Sequence, residues 1–349
     1  MMIFNLFKKI KTLKLWAFLV YIFFMPIYEL IWKYIINLHG RFLYLSWFFS
    51  KKRNYFNLKN NDKIIIDDDV DLKLLTKKIS KECTDGLLDN SKKKIISSNI
   101  NKKNYSESGE NNYKNSIINM FSENLKNEIF KFATSEKMIS TAAKHLGVFP
   151  ILAKMTVYHN IPRPGSSIRG AMNWHKDDFG YKSLDLFLNI TDIDENSGPL
   201  YALRKKERLG VFSRSFNEIQ NAKSGEKGKI SIDKFENNLK TDDIIALKGL
   251  KGKGLFIDSF TAYHRGGYCK TKDRVMLRFS YQTPDSVRLR SQDDNCFYYY
   301  KKISKKNVKN KYIFYFFFKR SNLDKKIGIN QFLLKIYRLL SYRFNFIFN

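Results

Sequence analysis

Asn173 to Pro199 constrains this chain's fold more than any other stretch. It runs Asn-Trp-His-Lys-Asp-Asp-Phe-Gly, continues through an apolar run from Ser183 to Ile190, and ends Thr-Asp-Ile-Asp-Glu-Asn-Ser-Gly-Pro. A short apolar run bounded by polar turn residues predicts a buried strand with a turn on each side. On extended backbone, residues two apart project to the same side. His175 and Asp177 therefore converge at one strand end. Asp178 points the other way and reads as a turn residue. A second histidine brought alongside would complete a face of two imidazoles and one carboxylate. That face leaves three positions open on an octahedral Fe(II).

The candidate for the second histidine is His264, at the end of Gly-Leu-Phe-Ile-Asp-Ser-Phe-Thr-Ala-Tyr-His (254–264). Ten residues later Arg274 opens the strand-like Arg-Val-Met-Leu-Arg-Phe-Ser-Tyr-Gln. Its guanidinium is a planar fork of donors suited to a carboxylate. Arg278, four residues on, shares that strand face. A His-x-Asp alone is a weak signal, because a buried histidine bonded to an aspartate gives the same pattern. Arg274 alone could equally be a surface cation. The ordered conjunction of His-x-Asp, Asn-x-Gly-Pro, an apolar strand into histidine, and arginine is what points to a metal site. His39, His145 and His159 have no metal-ligand spacing among themselves and read as structural, with His159 a candidate to line the site.

Together, His175-x-Asp177, Leu-Phe-Leu-Asn-Ile-Thr-Asp-Ile-Asp-Glu-Asn-Ser-Gly-Pro (186–199), His264 and Arg274 resemble the phytanoyl-CoA dioxygenase family. The resemblance covers roughly Leu146 to Asp285. It implies a mainly β protein with supporting helices (α+β), built on a double-stranded β-helix of the jelly-roll or cupin kind. It implies that His175, Asp177 and His264 hold Fe(II), and that Arg274 rather than Arg278 takes the C5 carboxylate of 2-oxoglutarate. Arg278 is then either buried behind Arg274 or in contact with substrate. The implied reaction is hydroxylation of an unactivated C–H bond with release of succinate and CO2. Iron halogenases on this fold replace the carboxylate with a small residue, so an intact Asp177 implies hydroxylation. One departure is the Ala-Leu-Arg-Lys-Lys-Glu run (202–207), where the family has a Pro-Gly-Ser-His-like turn near the substrate entrance. Substrate identity is affected more than the iron site.

Lys and Arg number 63 against 33 Asp and Glu, a formal net charge of +30, which favours polyanionic partners. Part of the lysine excess is explicable by an AT-rich genome. The charge is concentrated toward the termini and mixed with aromatics, which make up 15% of the chain. That distribution suits an anionic membrane surface better than nucleic acid. Residues 1–53 read as a basic, apolar membrane-interface segment. Its uninterrupted run, Leu15–Met25, is shorter than the ~20 residues of a spanning helix, and no small-x-small cleavage site follows it. The alternative is an N-terminal helix packed on the catalytic domain. Residues 291–349, basic and aromatic, read as a second membrane-surface element, with a helix capping the core as the alternative. The three cysteines form no framework and suit a reducing compartment. The expected location is cytoplasmic, peripheral on the inner face of a membrane.

Between the termini, 54–115 reads as a polar, linker-rich region with one helix near Val70–Ser80 and poor order through 88–114. The oxygenase core spans 116–290, with an insertion at 204–240 of the kind that forms lids. From Asn115 to Leu146 the apolar spacing is close to helical. Met155–Tyr158, Ile244–Leu247, Gly254–Asp258 and Val275–Gln282 read as core strands. The substrate is expected to be a small molecule, lipid-like or lipid-linked. Three rivals stand beside this reading: a degenerate core serving as a membrane- or glycan-binding module, a nucleic-acid-directed oxygenase, and a cupin-like metal enzyme without 2-oxoglutarate.

Overall fold

The computed structural model describes residues 38–50, 54–56, 58, 63–67, 69–90, 114–162, 170–177, 182–204, 232, 236 and 241–283. Residues 1–37, most of the 204–240 insertion and the 291–349 extension lie outside the described residues. So do residues 91–113, most of the 88–114 stretch expected to be poorly ordered.

Two antiparallel sheets face each other. The larger is six-stranded, in the order β1 (Lys63–Ile66), β7 (Gly254–Ile257), β4 (Ser183–Asn189), β9 (Arg274–Gln282), β3 (Ile151–Asn160), β2 (Lys114–Ser116). The smaller pairs β6 (Ile244–Leu247), β5 (Leu200–Leu203) and β8 (His264–Gly266). An isolated bridge between His175 and His264 extends it by a further short segment. This is the expected double-stranded β-helix.

Strand alternation divides the core into two layers. Leu184, Leu186 and Leu188 of β4, with Val275, Leu277, Phe279 and Tyr281 of β9, point away from the smaller sheet into a large cluster covered by helices. Phe187, Met276, Leu255 and Ile257 point the other way and meet Leu200, Ala202, Ile245 and Leu247 between the sheets. Every residue of β4 is buried, because both faces of that strand are covered. Its sequence still alternates, with leucines on the helix-covered face and Ser183, Asp185 and Asn189 with Phe187 on the inward one.

The helices on the outer face start at clear capping signals. Asp69 caps α2 (Val70–Glu82) at Leu72 N, Ser122 caps α3 (Glu123–Ala133) at Leu125 N, and Ser135 caps α4 (Glu136–Leu146) at Met138 N. Gly147, at φ +70, ends α4 in the left-handed region and turns the chain into β3.

One alternative reading is met here, and two sequence expectations are corrected. Residues 38–50 of the segment assigned to a membrane interface form a helix (α1) packed on the core. Trp47 is fully buried, donates from Nε1 to Ser140 Oγ at 3.0 Å, and meets the Phe149 ring edge-on at 5.5 Å. Within the linker-rich 54–115, α2 matches the helix expected near Val70–Ser80 and buries Leu72, Leu75 and Ile79 in the main core, whereas β1, which pairs with β7, was not expected. The helical spacing from Asn115 is interrupted, since Lys114–Ser116 is an edge strand on β3 and a 3-10 turn precedes α3. Apolar period alone does not separate a strand end from a helix start.

Among the described residues no helix is long and apolar enough to cross a membrane, and Cys83 and Cys269 are buried free thiols. If Trp47 anchors α1, Trp47→Ala lowers unfolding free energy by ~3–5 kcal/mol in urea titrations. A loss below ~1 kcal/mol would mean that α1 is not part of the cooperative core.

Candidate metal centre

His175 and His264 exchange both backbone hydrogen bonds, His175 N to His264 O at 3.0 Å and His264 N to His175 O at 2.9 Å. Residues paired in this way put their side chains on one face, and the two rings lie 4.4 Å apart. Asp177 follows two residues later on the same face. Its own N–H donates to Ser259 O at 2.9 Å, which fixes the extended backbone on which the sequence argument depended. His175 Nε2 lies 3.7 Å from Asp177 Oδ1, and His264 Nε2 lies 3.9 Å from Asp177 Oδ2. One donor atom from each residue falls within 4.8 Å of the others.

The imidazole tautomers follow from their partners. His175 Nδ1 meets Asn173 O at 2.8 Å and His264 Nδ1 meets Ala262 O at 3.1 Å. A carbonyl only accepts, so both Nδ1 atoms carry a proton, and Nε2 is the atom each ring turns toward Asp177. Metal-binding histidines are oriented by this kind of bond.

The glycines of the sequence motif explain how the strands close around this point. Gly198, at φ +67, and Gly267 meet backbone to backbone: a Cβ on Gly198 would sit 2.5 Å from the Tyr268 carbonyl carbon, and one on Gly267 would sit 2.5 Å from Gly198 C. Gly267 N donates to Pro199 O at 2.8 Å in the same contact. The start of β5 and the end of β8 touch because neither residue has a side chain.

Behind the histidines, on the outer side of the smaller sheet, Glu236 of the insertion accepts from Trp174 Nε1 at 2.8 Å and from Arg265 Nε at 2.9 Å. Arg265 lies over the Tyr201 ring at 3.9 Å. One carboxylate thus ties together the residue beside His175 and the residue beside His264.

Arg278 bonds two carboxylates that the sequence did not assign to it. Its Nη2 donates to Asp177 Oδ2 at 2.8 Å and to Asp185 Oδ2 at 3.1 Å, and its Nε donates to Asp185 Oδ1 at 3.2 Å. Burial opposes charge on Asp177, but Arg278 and the two histidines outweigh it and hold the carboxyl well below the usual range. Burial, opposed by Arg278 and aided by the charge of Asp177, pushes Asp185 upward. Arg278, between two carboxylates, keeps its proton.

Arg274 sits one inward position before Met276 on β9 and is 6% exposed. It donates from Nη1 to Gly198 O. A Cβ on Gly266, two residues beyond His264, would lie 3.7 Å from its Nη2. Asn189, at the end of β4, is fully buried, and among the described residues neither of its side-chain amide atoms meets a hydrogen-bond partner. It shares the inward face with Asp185 and Phe187 and stands opposite Met276, diagonal to Arg274 and Arg278.

The remaining described histidine rings lie elsewhere. His145 pairs with Asp258 and His159 with Asp273, and His159 shares a strand face with core Val157, away from the centre. The sequence reading did not identify Asp185, Asn189 or Glu236. For Asp185 there was a signal, an acid inside the apolar run Leu-Asp-Leu-Phe-Leu, which a buried strand tolerates only with a partner.

No protein-family model matches the sequence, and no curated protein matches it. Several solved structures are similar. The non-heme α-ketoglutarate-dependent epimerase SnoN from nogalamycin biosynthesis is 11% identical at TM-score 0.39, over 64% of this chain and 80% of that one. AviO1 from Streptomyces viridochromogenes is 12% identical at 0.38, over 66% and 93%. EctD from S. alaskensis with 2-oxoglutarate and 5-hydroxyectoine is 14% identical at 0.37, over 65% and 73%. These likenesses are distant, and the chemistry open to this chain is set by its own side chains.

Proposed function

We propose that the protein is an Fe(II)- and 2-oxoglutarate-dependent dioxygenase, of the phytanoyl-CoA dioxygenase kind, that hydroxylates an unactivated C–H bond. The observation that carries this reading is the convergence of His175, Asp177 and His264, with both imidazoles oriented by Nδ1–H bonds to backbone carbonyls and Nε2 turned to the centre. Two neutral nitrogens and one ionised carboxylate suit Fe(II) and leave coordination positions open. When bound, iron with 2-oxoglutarate supplies the oxidising chemistry, with succinate and CO2 as co-products.

The chain's own residues place and charge the reactants. His175, Asp177 and His264 would hold the metal. Arg274 would take the distal carboxylate of 2-oxoglutarate. Gly266, beside its guanidinium, is two residues along β8 from His264, a strand rise of ~7 Å that the co-substrate can bridge. Asn189 supports the same placement, since a buried amide without a partner is costly and its N–H groups could donate to that carboxylate. The apolar layer of Phe187, Leu255, Ile257 and Met276 would keep bulk water from this end of the site. A complete ligand set favours an enzyme over a non-catalytic binding module.

With Fe(II) and ascorbate supplied, the protein should convert 2-oxoglutarate to succinate, and His264→Ala should abolish the conversion. Arg274→Ala should raise KM for 2-oxoglutarate by ~10–100-fold, the loss of one charge-assisted pair. Turnover indifferent to Arg274→Ala would favour a metal enzyme that does not use 2-oxoglutarate.

For the substrate, we infer a lipid-like or lipid-linked molecule met at an anionic membrane surface. The described feature that favours this is the outer ridge of α1. Leu38, Phe42, Leu45 and Phe49 are exposed at 51%, 63%, 45% and 85%, and Arg41 is among them. Phe42→Glu with Phe49→Glu should weaken binding to phosphatidylserine vesicles at least tenfold while leaving thermal stability unchanged. Equal binding by the two proteins would remove α1 from the membrane contact.

A further inference from the structure

We infer that Arg278 and Asp185 form a positioning clamp that makes Asp177 a one-oxygen metal ligand. The inference rests on the metal-centre reading above and extends it to two residues that do not touch the metal.

The geometry carries it. Arg278 spends its Nη2 on Asp177 Oδ2 as well as on Asp185. With Oδ2 engaged, Oδ1, which faces His175 Nε2 at 3.7 Å, remains for the metal. A carboxylate pinned in this way cannot rotate to present both oxygens, so one more coordination position stays open to co-substrate or oxygen. The guanidinium is itself fixed. Asp185, fully buried on β4, grips it through two oxygens, and the Phe187 ring lies 4.9 Å beneath it. Register explains the arrangement, because Phe187 pairs with Arg278 and Asp185 with Ser280 across β4 and β9. Arg278 and Asp185 therefore share the inward face.

Charge explains why Asp185 is needed. An arginine bonded to a metal ligand draws negative charge from it and repels a cation. A second buried carboxylate cancels that cost. With both carboxylates ionised, the three side chains carry a formal net charge of −1, the value a lone Asp177 would bring, with orientation added. Arg278 is occupied by both carboxylates, so it is assigned to the ligand and not to a substrate anion.

Co(II), titrated anaerobically into the full-length protein and followed by its visible ligand-field bands, reads the clamp without turnover. Asp185→Asn keeps the shape and removes the charge. It should raise the Co(II) Kd by ~10–100-fold, the usual effect of losing a ligand's outer partner. Arg278→Met with Asp185→Leu removes both charges and avoids stranding either one. It should fold, as judged by circular dichroism and thermal unfolding, yet bind Co(II) at least tenfold more weakly and with altered bands. Wild-type binding with both variants inside twofold of it, and bands unchanged, overturns the clamp and leaves the metal centre standing. No Co(II) binding by the wild type overturns both.

Discussion

The site depends on one pair of backbone hydrogen bonds, those exchanged between His175 and His264. They join segments 89 residues apart in the chain and set two imidazoles on one face at ring-to-ring distance 4.4 Å. Everything else serves that junction. Ser259 O receives Asp177 N and continues the extended backbone through the carboxylate. Gly198 and Gly267 let the neighbouring strand ends touch. Glu236 fastens the same two segments from the other side of the sheet through Trp174 and Arg265. A short strand pair at a sheet edge is weakly specified by itself, so such bracing is what makes the placement of ligand atoms reproducible.

The interior between the sheets is divided electrically. Toward one region the facing strands contribute Phe187, Leu200, Leu247, Leu255, Ile257 and Met276. Toward the other they contribute Arg278, Asp185, Asp177 and the histidines, with every formal charge met by an opposite one or by the geometry of a metal site. Burying Asp185 and Arg278 is costly unless the pair is well made. Three hydrogen bonds to two carboxylates meet that requirement. In the proposed chemistry this division has a use, because fixed charges act more strongly where water is excluded.

Much of the metal centre was legible in the sequence, and the reasons are local. His175-x-Asp177 needed only the period of a strand, and His264 needed only an apolar run ending in a polar turn. Arg278 was visible as an inward residue, but its partner could not be identified, because pairing between β4 and β9 is a matter of register across 93 residues. Asn189 carried no signal at all, since its importance lies in the hydrogen bonds it lacks. The core strands and the helix near Val70–Ser80 followed from apolar runs, whereas the capping roles of Asp69, Ser122 and Ser135 emerge only in the fold. Helix α1 was left between two readings for a physical reason: a helix with one apolar face in the core and another in solvent has the composition of an interfacial helix. Burial of Trp47 identifies the packed face. β1 was missed because Lys-Ile-Ile-Ile in a polar stretch gains its strand character from pairing with β7.

The most direct test of the proposed centre is anaerobic titration of the protein with Fe(II) and 2-oxoglutarate, followed by visible absorption. Chelation of a ferrous ion by the 2-oxo acid in a site of two histidines and one carboxylate gives a metal-to-ligand charge-transfer band. The band should appear only with both additions and should be lost in His175→Ala. A folded wild-type protein that binds Fe(II) but develops no band with 2-oxoglutarate would contradict the assignment.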